Sequence, residues 1–315
     1  MKYRKLGKNG PEISAIGFGS WAIGGSGWQF AWGEQDDADS IRSVHKALDL
    51  GINFFDTAAA YGLGHSEEIL GKALSHRRTE VVLATKCGLI WDDRGMVTKN
   101  GHYDSILREA EASLRRLNTD YIDLYQMHWP DTDAGAPLEE TMRAMDKLVK
   151  DGLIRYVGVS NYNVAQMKES MKVRPIDSLQ PPYSLFDREV ETEILPFCEQ
   201  HEIGVVAYSP LASGLLSGTY DASRTFPNDD WRSQSPLHTG QGLIDSLKKV
   251  EALRAIANEM GATVPELAAA YVLANSAVTS AIIGVRKDSH ITTIVGAADI
   301  HLDSETLGKI RAIFS

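Results

Sequence analysis

Residues 81–128 read VVLATKCGLIWDDRGMVTKNGHYDSILREAEASLRRLNTDYIDLYQMH. An apolar run of strand length, VVLATKC (81–87), leads into SILREAEASLRRL (105–117), whose apolar residues recur every three to four positions, and then into a second apolar run, YIDLYQMH (121–128). The 3.6-residue period marks one face of a helix, and a short run that is apolar throughout marks a strand covered on both sides. Two such strands joined through a helix run parallel, since a tight hairpin can only reverse the chain.

Working outward, the unit repeats. The runs SAIGFG (14–19), INFFDTA (52–58), IRYVGVS (154–160), IDSLQPP (176–182), GVVAYSP (204–210) and SAIIGV (280–285) bring the count of strand-like segments to eight. Helical patterns separate them, and LEETMRAMDKLVKDG (138–152) closes on a Lys-Asp-Gly stop. Eight buried parallel strands alternating with helices imply an α/β protein whose sheet closes into a (β/α)8 TIM barrel. Ahead of it, Lys8-Asn9-Gly10-Pro11 reads as the turn of an N-terminal β-hairpin. With 315 residues, of which 43% are apolar, the chain is long enough for one such barrel domain spanning 1–315.

Two connections are longer than a compact barrel needs. Leu211 to Gln241 is rich in Gly, Ser, Pro and Asp and has no period, and Gly24 to Asp37 carries Trp28, Phe30 and Trp32. Long aperiodic loops in a compact domain are usually binding loops or lids, so both are expected at the C-terminal face. The aromatic side chains have no core of their own to join, which points to substrate contact or to packing over the barrel mouth.

The net charge of −10 repels nucleic acid and anionic membrane. With no apolar targeting segment and no membrane-span window, a cytoplasmic protein acting on a small molecule is expected, as a monomer or small homo-oligomer. Cys87 and Cys198 lack any CxxC or Cys/His spacing and read as free thiols.

Polar residues interrupt the apolar strands at their C-terminal ends, where barrel enzymes place their chemistry. Asp56, Lys86, His128, Ser160-Asn161, Gln180 and Tyr208-Ser209 end or interrupt strands two to seven. Asp56 could instead cap a turn, and His128 could be a satisfied buried histidine. Lys86 is harder to explain structurally, because a buried lysine needs an anion, and Asp56 on the adjacent strand can supply one. Tyr61 follows Asp56 by five residues and can lean over the same mouth. A phenol is a poor acid at neutral pH, and a neighbouring ammonium favours its phenolate and so lowers its pKa. Together with an imidazole able to donate to a carbonyl oxygen, the set is suited to polarising and protonating C=O. The strand ends hold too few His and carboxylate residues for a metal centre, so none is expected. GFGSWA (17–22) matches a G-x-G-x-x-A fingerprint, but no helical period follows it, so a Rossmann reading is weak.

DTAAAYG (56–62), VVLATK (81–86), YIDLYQMHWPD (121–131), RYVGVSNY (155–162), LQPPYSLFDR (179–188), VVAYSPLASGLLSG (205–218) and AIIGVR (281–286) occur in this order across essentially the whole chain. In these motifs the sequence resembles the aldo-keto reductases, most closely their bacterial branch with an inositol-operon oxidoreductase and a glycerol dehydrogenase. The resemblance implies an NADP(H)-dependent oxidoreductase acting on a carbonyl or alcohol, with Tyr61 as acid, Asp56 and Lys86 tuning it and His128 orienting the carbonyl. By the same resemblance Ser160, Asn161 and Gln180 would hold the nicotinamide carboxamide and Tyr208 would stack on its ring. Ser209, Leu211, Ser213 and Gly214 would line the pyrophosphate, and Gly284 and Arg286 the adenosine phosphate. Chemistry agrees at several points: amides complement a carboxamide, an aromatic face suits a planar ring, and a guanidinium fork suits a phosphate. Trp21, Trp28, Trp32 and Trp129 are the candidate substrate contacts. The chain departs from the family habit at Thr219, His290, Thr293 and Ile294, around the pyrophosphate and adenine. Two other readings remain: a Schiff-base aldolase using Lys86, which a charged Asp56 would oppose, and a nicotinamide-sensing accessory subunit with little turnover.

Overall fold

The computed structural model describes residues 1–227 and 230–315. Eight parallel strands close into a barrel: β1 (Ile16–Gly19), β2 (Phe54–Asp56), β3 (Val82–Cys87), β4 (Ile122–Met127), β5 (Ile154–Ser160), β6 (Ser178–Gln180), β7 (Gly204–Ala207) and β8 (Val278–Gly284). Each pairs with its neighbours in chain order, and β8 returns to β1 with Gly284 beside Gly19. The eight apolar runs are therefore the eight strands. Most are shorter than their runs, because the strand ladder covers only part of each run. The residues beyond β2, β6 and β7 turn out toward the mouth, where Pro182 and Tyr208 meet in an isolated bridge.

Helices cover the outside: α1 (Asp37–Asp49), α2 (His65–Leu74), α3 (Tyr103–Leu117), α4 (Leu138–Lys150), α5 (Val164–Met171), α6 (Ile194–Gln200), α7 (Gly240–Glu259), α8 (Val264–Leu273), α9 (Asp288–Ile294) and α10 (Ser304–Ile313). The Lys-Asp-Gly stop of α4 holds, with Gly152 at φ 76°. The predicted N-terminal hairpin pairs Tyr3–Lys5 with Glu12–Ser14. A second hairpin, Leu89–Trp91 with Val97–Lys99, follows β3 and was not read from the sequence. Cys87 and Cys198 are buried free thiols.

Successive strand residues point alternately into the barrel and toward the helices. The lower interior is filled by Phe54, Ala84, Leu124, Val206 and Ile282, with Leu6 and Ile13 of the hairpin closing the N-terminal end. The interior is crowded enough to require small residues: a Cβ on Gly17 would lie 2.7 Å from Phe54 Cδ1, and one on Gly158 would lie 2.8 Å from Gln126 Cγ. Charges toward the N-terminal end compensate one another, Asp123 accepting from Arg78 at 2.7 Å and from Arg155 at 2.9 Å. Two residues further along the inward-facing rows, toward the C-terminal face, Phe54, Ala84 and Leu124 give way to Asp56, Lys86 and Gln126. An apolar floor thus carries a polar upper layer.

Candidate active site

Asp56 and Lys86 sit in that layer on adjacent strands, 3% and 1% exposed. Lys86 Nζ donates to Asp56 Oδ2 at 2.7 Å, to the Thr57 carbonyl at 2.8 Å and to Tyr61 Oη at 3.1 Å. An ammonium has three protons, and these acceptors use all of them. Because Tyr61 Oη accepts from Lys86, its own proton points elsewhere. The other oxygen of Asp56 accepts from Gln180 Nε2 at 2.8 Å and from Gln126 Nε2 at 3.2 Å, which fixes the carboxylate from both sides.

The electrostatics follow from burial. Desolvation works against the charge of Lys86, yet Asp56 and then Tyr61 more than offset it, holding the ammonium above its ordinary value. Tyr61 is raised by burial, and the pull of Lys86 in the opposite direction does not reverse this. The expectation that the ammonium brings Tyr61 below an ordinary phenol is thus corrected: desolvation of the phenolate wins, and the hydroxyl stays protonated at neutral pH. His128 is held well below an ordinary imidazole by burial and then by Lys86, so its ring is neutral.

His128 ends β4. Its N–H donates to the Cys87 carbonyl at 2.9 Å, and its carbonyl accepts from Asn161 Nδ2 at 2.9 Å, so its backbone is fixed on two sides. Its ring meets Tyr61 edge-on at 5.7 Å, and among the described residues neither ring nitrogen has a hydrogen-bond partner. The four residues picked out from the sequence are thus brought together, and a carbonyl could meet the Tyr61 hydroxyl and the imidazole at once.

The aromatic insert joins them. Trp21 stacks on Tyr61 at 5.9 Å and on Trp32 at 5.4 Å, and Trp28 lies 6.2 Å from Tyr61 and 5.9 Å from Phe30. Trp129 stands apart: it is 39% exposed and lies 5.8 Å below the Lys99 ammonium, outside the aromatic cluster.

The residues assigned to a dinucleotide fall into three groups. In the first, Ser160 Oγ donates to the Gln180 carbonyl at 2.7 Å, Asn161 Nδ2 to Ser160 Oγ at 3.1 Å, and Tyr208 Oη to Asn161 Oδ1 at 2.9 Å. These side chains form one network, and the Gln180 amide nitrogen is turned down onto Asp56. In the second, Ser209, Ala212, Ser213 and Gly214 have φ of 55°, 46°, 53° and 102°. They fold the loop into tight turns in which the Ala212 and Gly214 N–H groups donate to the Ser209 and Leu211 carbonyls at 2.9 Å and 3.1 Å, so these two are not free to meet an anion. In the third, a Cβ on Gly284 would meet nothing within 4 Å, which leaves open space, while Arg286 donates Nε to Gln35 Oε1 at 3.0 Å and Nη1 to the Trp32 carbonyl at 3.1 Å. Arg286 therefore holds the aromatic insert and is not joined to the 209–214 loop. Among the departures, His290 Nδ1 accepts from the Arg286 N–H at 3.4 Å, Thr293 Oγ1 bonds within its own helix to Ser289, and Thr219 Oγ1 pairs with Ser217 Oγ at 2.8 Å.

The aperiodic stretch from 211 to 241 is more ordered than its composition implies. It contains short 3-10 segments at Ala212–Ser217 and Trp231–Gln234, and its positions 228 and 229 lie outside the described residues. Arg232, 9% exposed, forks onto Asp230, donates to the Ser213 carbonyl at 3.3 Å and lies 4.6 Å over the Trp32 ring. Arg232 and Gln35 carry no periodic signal and were missed. Gln126 was legible: it lies two before His128, so the period of two puts it on the same inward-facing row.

Comparison with known proteins agrees with this architecture. The family described as "Aldo/keto reductase family" matches residues 15–314. The chain is 39% identical to aldo-keto reductase YhdN of Bacillus subtilis, over 99% of this chain and 93% of that one. It is 36% identical to a probable voltage-gated potassium channel subunit beta of Arabidopsis thaliana (95% and 92% covered) and 33% identical to an NADH-specific methylglyoxal reductase of Escherichia coli (99% and 98%). Among solved structures, the glycerol dehydrogenase AKR11B4 from Gluconobacter oxydans superposes with a TM-score of 0.90 at 38% identity, covering 99% of this chain and 94% of that one. With a closed eight-stranded barrel and a family match over nearly its whole length, the chain belongs to the aldo/keto reductase family.

Proposed function

We propose that this chain is an NADP(H)-dependent oxidoreductase that reduces an aldehyde or ketone, or oxidises the corresponding alcohol or polyol, with Tyr61 as the proton donor. The observation that carries this reading is the Lys86 ammonium, whose three protons are spent on Asp56, Thr57 and Tyr61 Oη, leaving the phenol proton directed away from it. When bound, a reduced nicotinamide supplies the hydride. The turn around Ser209 and Ala212–Gly214 and the open space at Gly284 support a dinucleotide, with Ser160, Asn161, Gln180 and Tyr208 at the nicotinamide end.

The chain's own residues do the rest. Neutral His128 donates a ring N–H to the carbonyl oxygen and orients it. Tyr61, protonated at rest, passes its proton to the oxygen as negative charge develops there, and Lys86 stabilises the phenolate that remains. Asp56 keeps Lys86 charged and in place. Trp21, Trp28 and Trp32 exclude water on one side of Tyr61, whereas Trp129 stands outside this cluster.

An aldolase reading has little support, since a Schiff base needs a neutral amine and Lys86 is held protonated. The resemblance to a channel subunit keeps an accessory role as the second reading. Steady-state turnover on a panel of aldehydes, ketones and polyols separates the two. Turnover with NADPH is expected, and Tyr61→Phe should lower kcat by about 10²–10⁴ fold; unchanged turnover in that variant would overturn the mechanism.

A further inference from the structure

The guanidinium assigned to the adenosine phosphate is already engaged. Arg286 donates to Gln35 Oε1 at 3.0 Å, to the Trp32 carbonyl at 3.1 Å and to the Glu34 carbonyl. Gln35 closes the ring from the other side, its Nε2 donating to the Arg286 carbonyl at 3.0 Å and to Ser40 Oγ at 3.2 Å. All three acceptors belong to the aromatic insert. Trp32 is held by its carbonyl on Arg286 and by its ring beneath Arg232, which also reaches the Ser213 carbonyl. From Trp32 the stack continues through Trp21 to Tyr61, at 5.4 Å and 5.9 Å. Among the described residues the buried Trp32 Nε1 has no hydrogen-bond partner, so this placement of the indole leaves a donor unsatisfied.

We propose that Gln35, with the carbonyls of Trp32 and Glu34, is an internal competitor for Arg286: three of its five N–H donors are taken, so Arg286 offers a 2′-phosphate its full fork only as the 32–35 segment releases it, and Trp32 shifts against Trp21 when it does. Gln35 is then a specificity-determining residue that weakens binding of 2′-phosphorylated adenosine compounds without affecting unphosphorylated ones. The inference rests on the NADP(H) reading, through the assignment of Arg286. Its physical basis is an exchange of acceptors. A phosphate accepts more strongly from a guanidinium than neutral carbonyls do, so the exchange can proceed, but affinity falls by the fraction of molecules in which Arg286 is free.

Calorimetric titration of the full chain with adenosine 2′,5′-bisphosphate and with 5′-AMP tests this without turnover. Gln35→Ala should bind the bisphosphate about fivefold more tightly, the worth of about one net hydrogen bond, with 5′-AMP unchanged. Arg286→Ala should lose the preference for the bisphosphate. In the unsubstituted protein the bisphosphate, but not 5′-AMP, should change tryptophan fluorescence, and Trp32→Phe should remove most of that change. If Gln35→Ala binds the bisphosphate no more tightly, or more weakly, while Arg286→Ala loses the preference, the competitor is refuted and the NADP(H) reading stands. If Arg286→Ala leaves the preference intact, the assignment of Arg286 fails and takes this inference with it.

Discussion

Replacing Lys86 with methionine keeps the linear stem and deletes the charge, and the structure shows what that leaves behind. Asp56, 3% exposed, retains the two amide donors on Oδ1 but loses the donor at 2.7 Å on Oδ2, and the Thr57 carbonyl and Tyr61 Oη each lose one as well. Leaving one member of a buried pair uncompensated costs about 3–5 kcal/mol. Asp56→Asn strands the ammonium instead and should cost a similar amount. The double variant carries neither charge, so it should be more stable than the sum of the two losses predicts by at least about 2 kcal/mol. Urea unfolding at pH 7, followed by tryptophan fluorescence with the slope checked for constancy, measures all four corners of the cycle. Losses that add to within about 0.5 kcal/mol would refute the reasoning, because they would mean the two charges are stabilised independently. The sign with pH is also set. The folded value of Lys86 lies above its unfolded 10.5, so its contribution is fully present below the unfolded value and is lost as pH rises through the folded one.

Burial raises the Tyr61 phenol above its ordinary value in the free chain, so an ultraviolet difference titration of parent against Tyr61→Phe should show no phenolate from this residue at neutral pH; a tyrosinate signal near neutrality that the variant lacks would sink this. Glu109, on α3, is pushed up to about 7 by burial, with Gly88 N–H and Ser105 Oγ bonded to it. Because the folded value is raised, its contribution is present below the unfolded value of 4.5 and is lost as pH rises through about 7. Glu109→Gln should therefore stabilise the protein on the order of 1–2 kcal/mol at pH 8 and much less at pH 5, and equal urea midpoints with the parent at pH 8 would sink this.

Much of the site was legible because a barrel imposes a simple grammar. Strands buried on both faces read as apolar runs, so each polar exception near a C-terminal end, such as Asp56, Lys86 or His128, carries information. Alternation with period two placed these side chains inward, and the same rule would have found Gln126. The aromatic residues of the 24–37 insert were visible as an anomaly, although their stacking on Tyr61 was not. Arg232 and Gln35 sit in segments without period, where nothing local distinguishes a solvated side chain from one that crosses to another loop. Arg286 shows the same limit. Its guanidinium suits a phosphate, yet which acceptor it meets depends on where the 32–35 segment lies, and no local pattern encodes that.

By itself the sequence determined the architecture and the identity of the residues at the mouth, because strand and helix periods are local and eight repeats of one unit leave a closed sheet as the way to bury them. Only the tertiary structure decided the balance of forces at that mouth. Lys86 gains its three acceptors from β2 and the loop above it, and the proton stays on Tyr61 because burial outweighs the neighbouring charge. Arg286 turns to the aromatic insert because residues some 250 apart in the chain meet there. Desolvation and long-range contact are properties of the packed molecule, and they set which of the chemically possible partners each group takes.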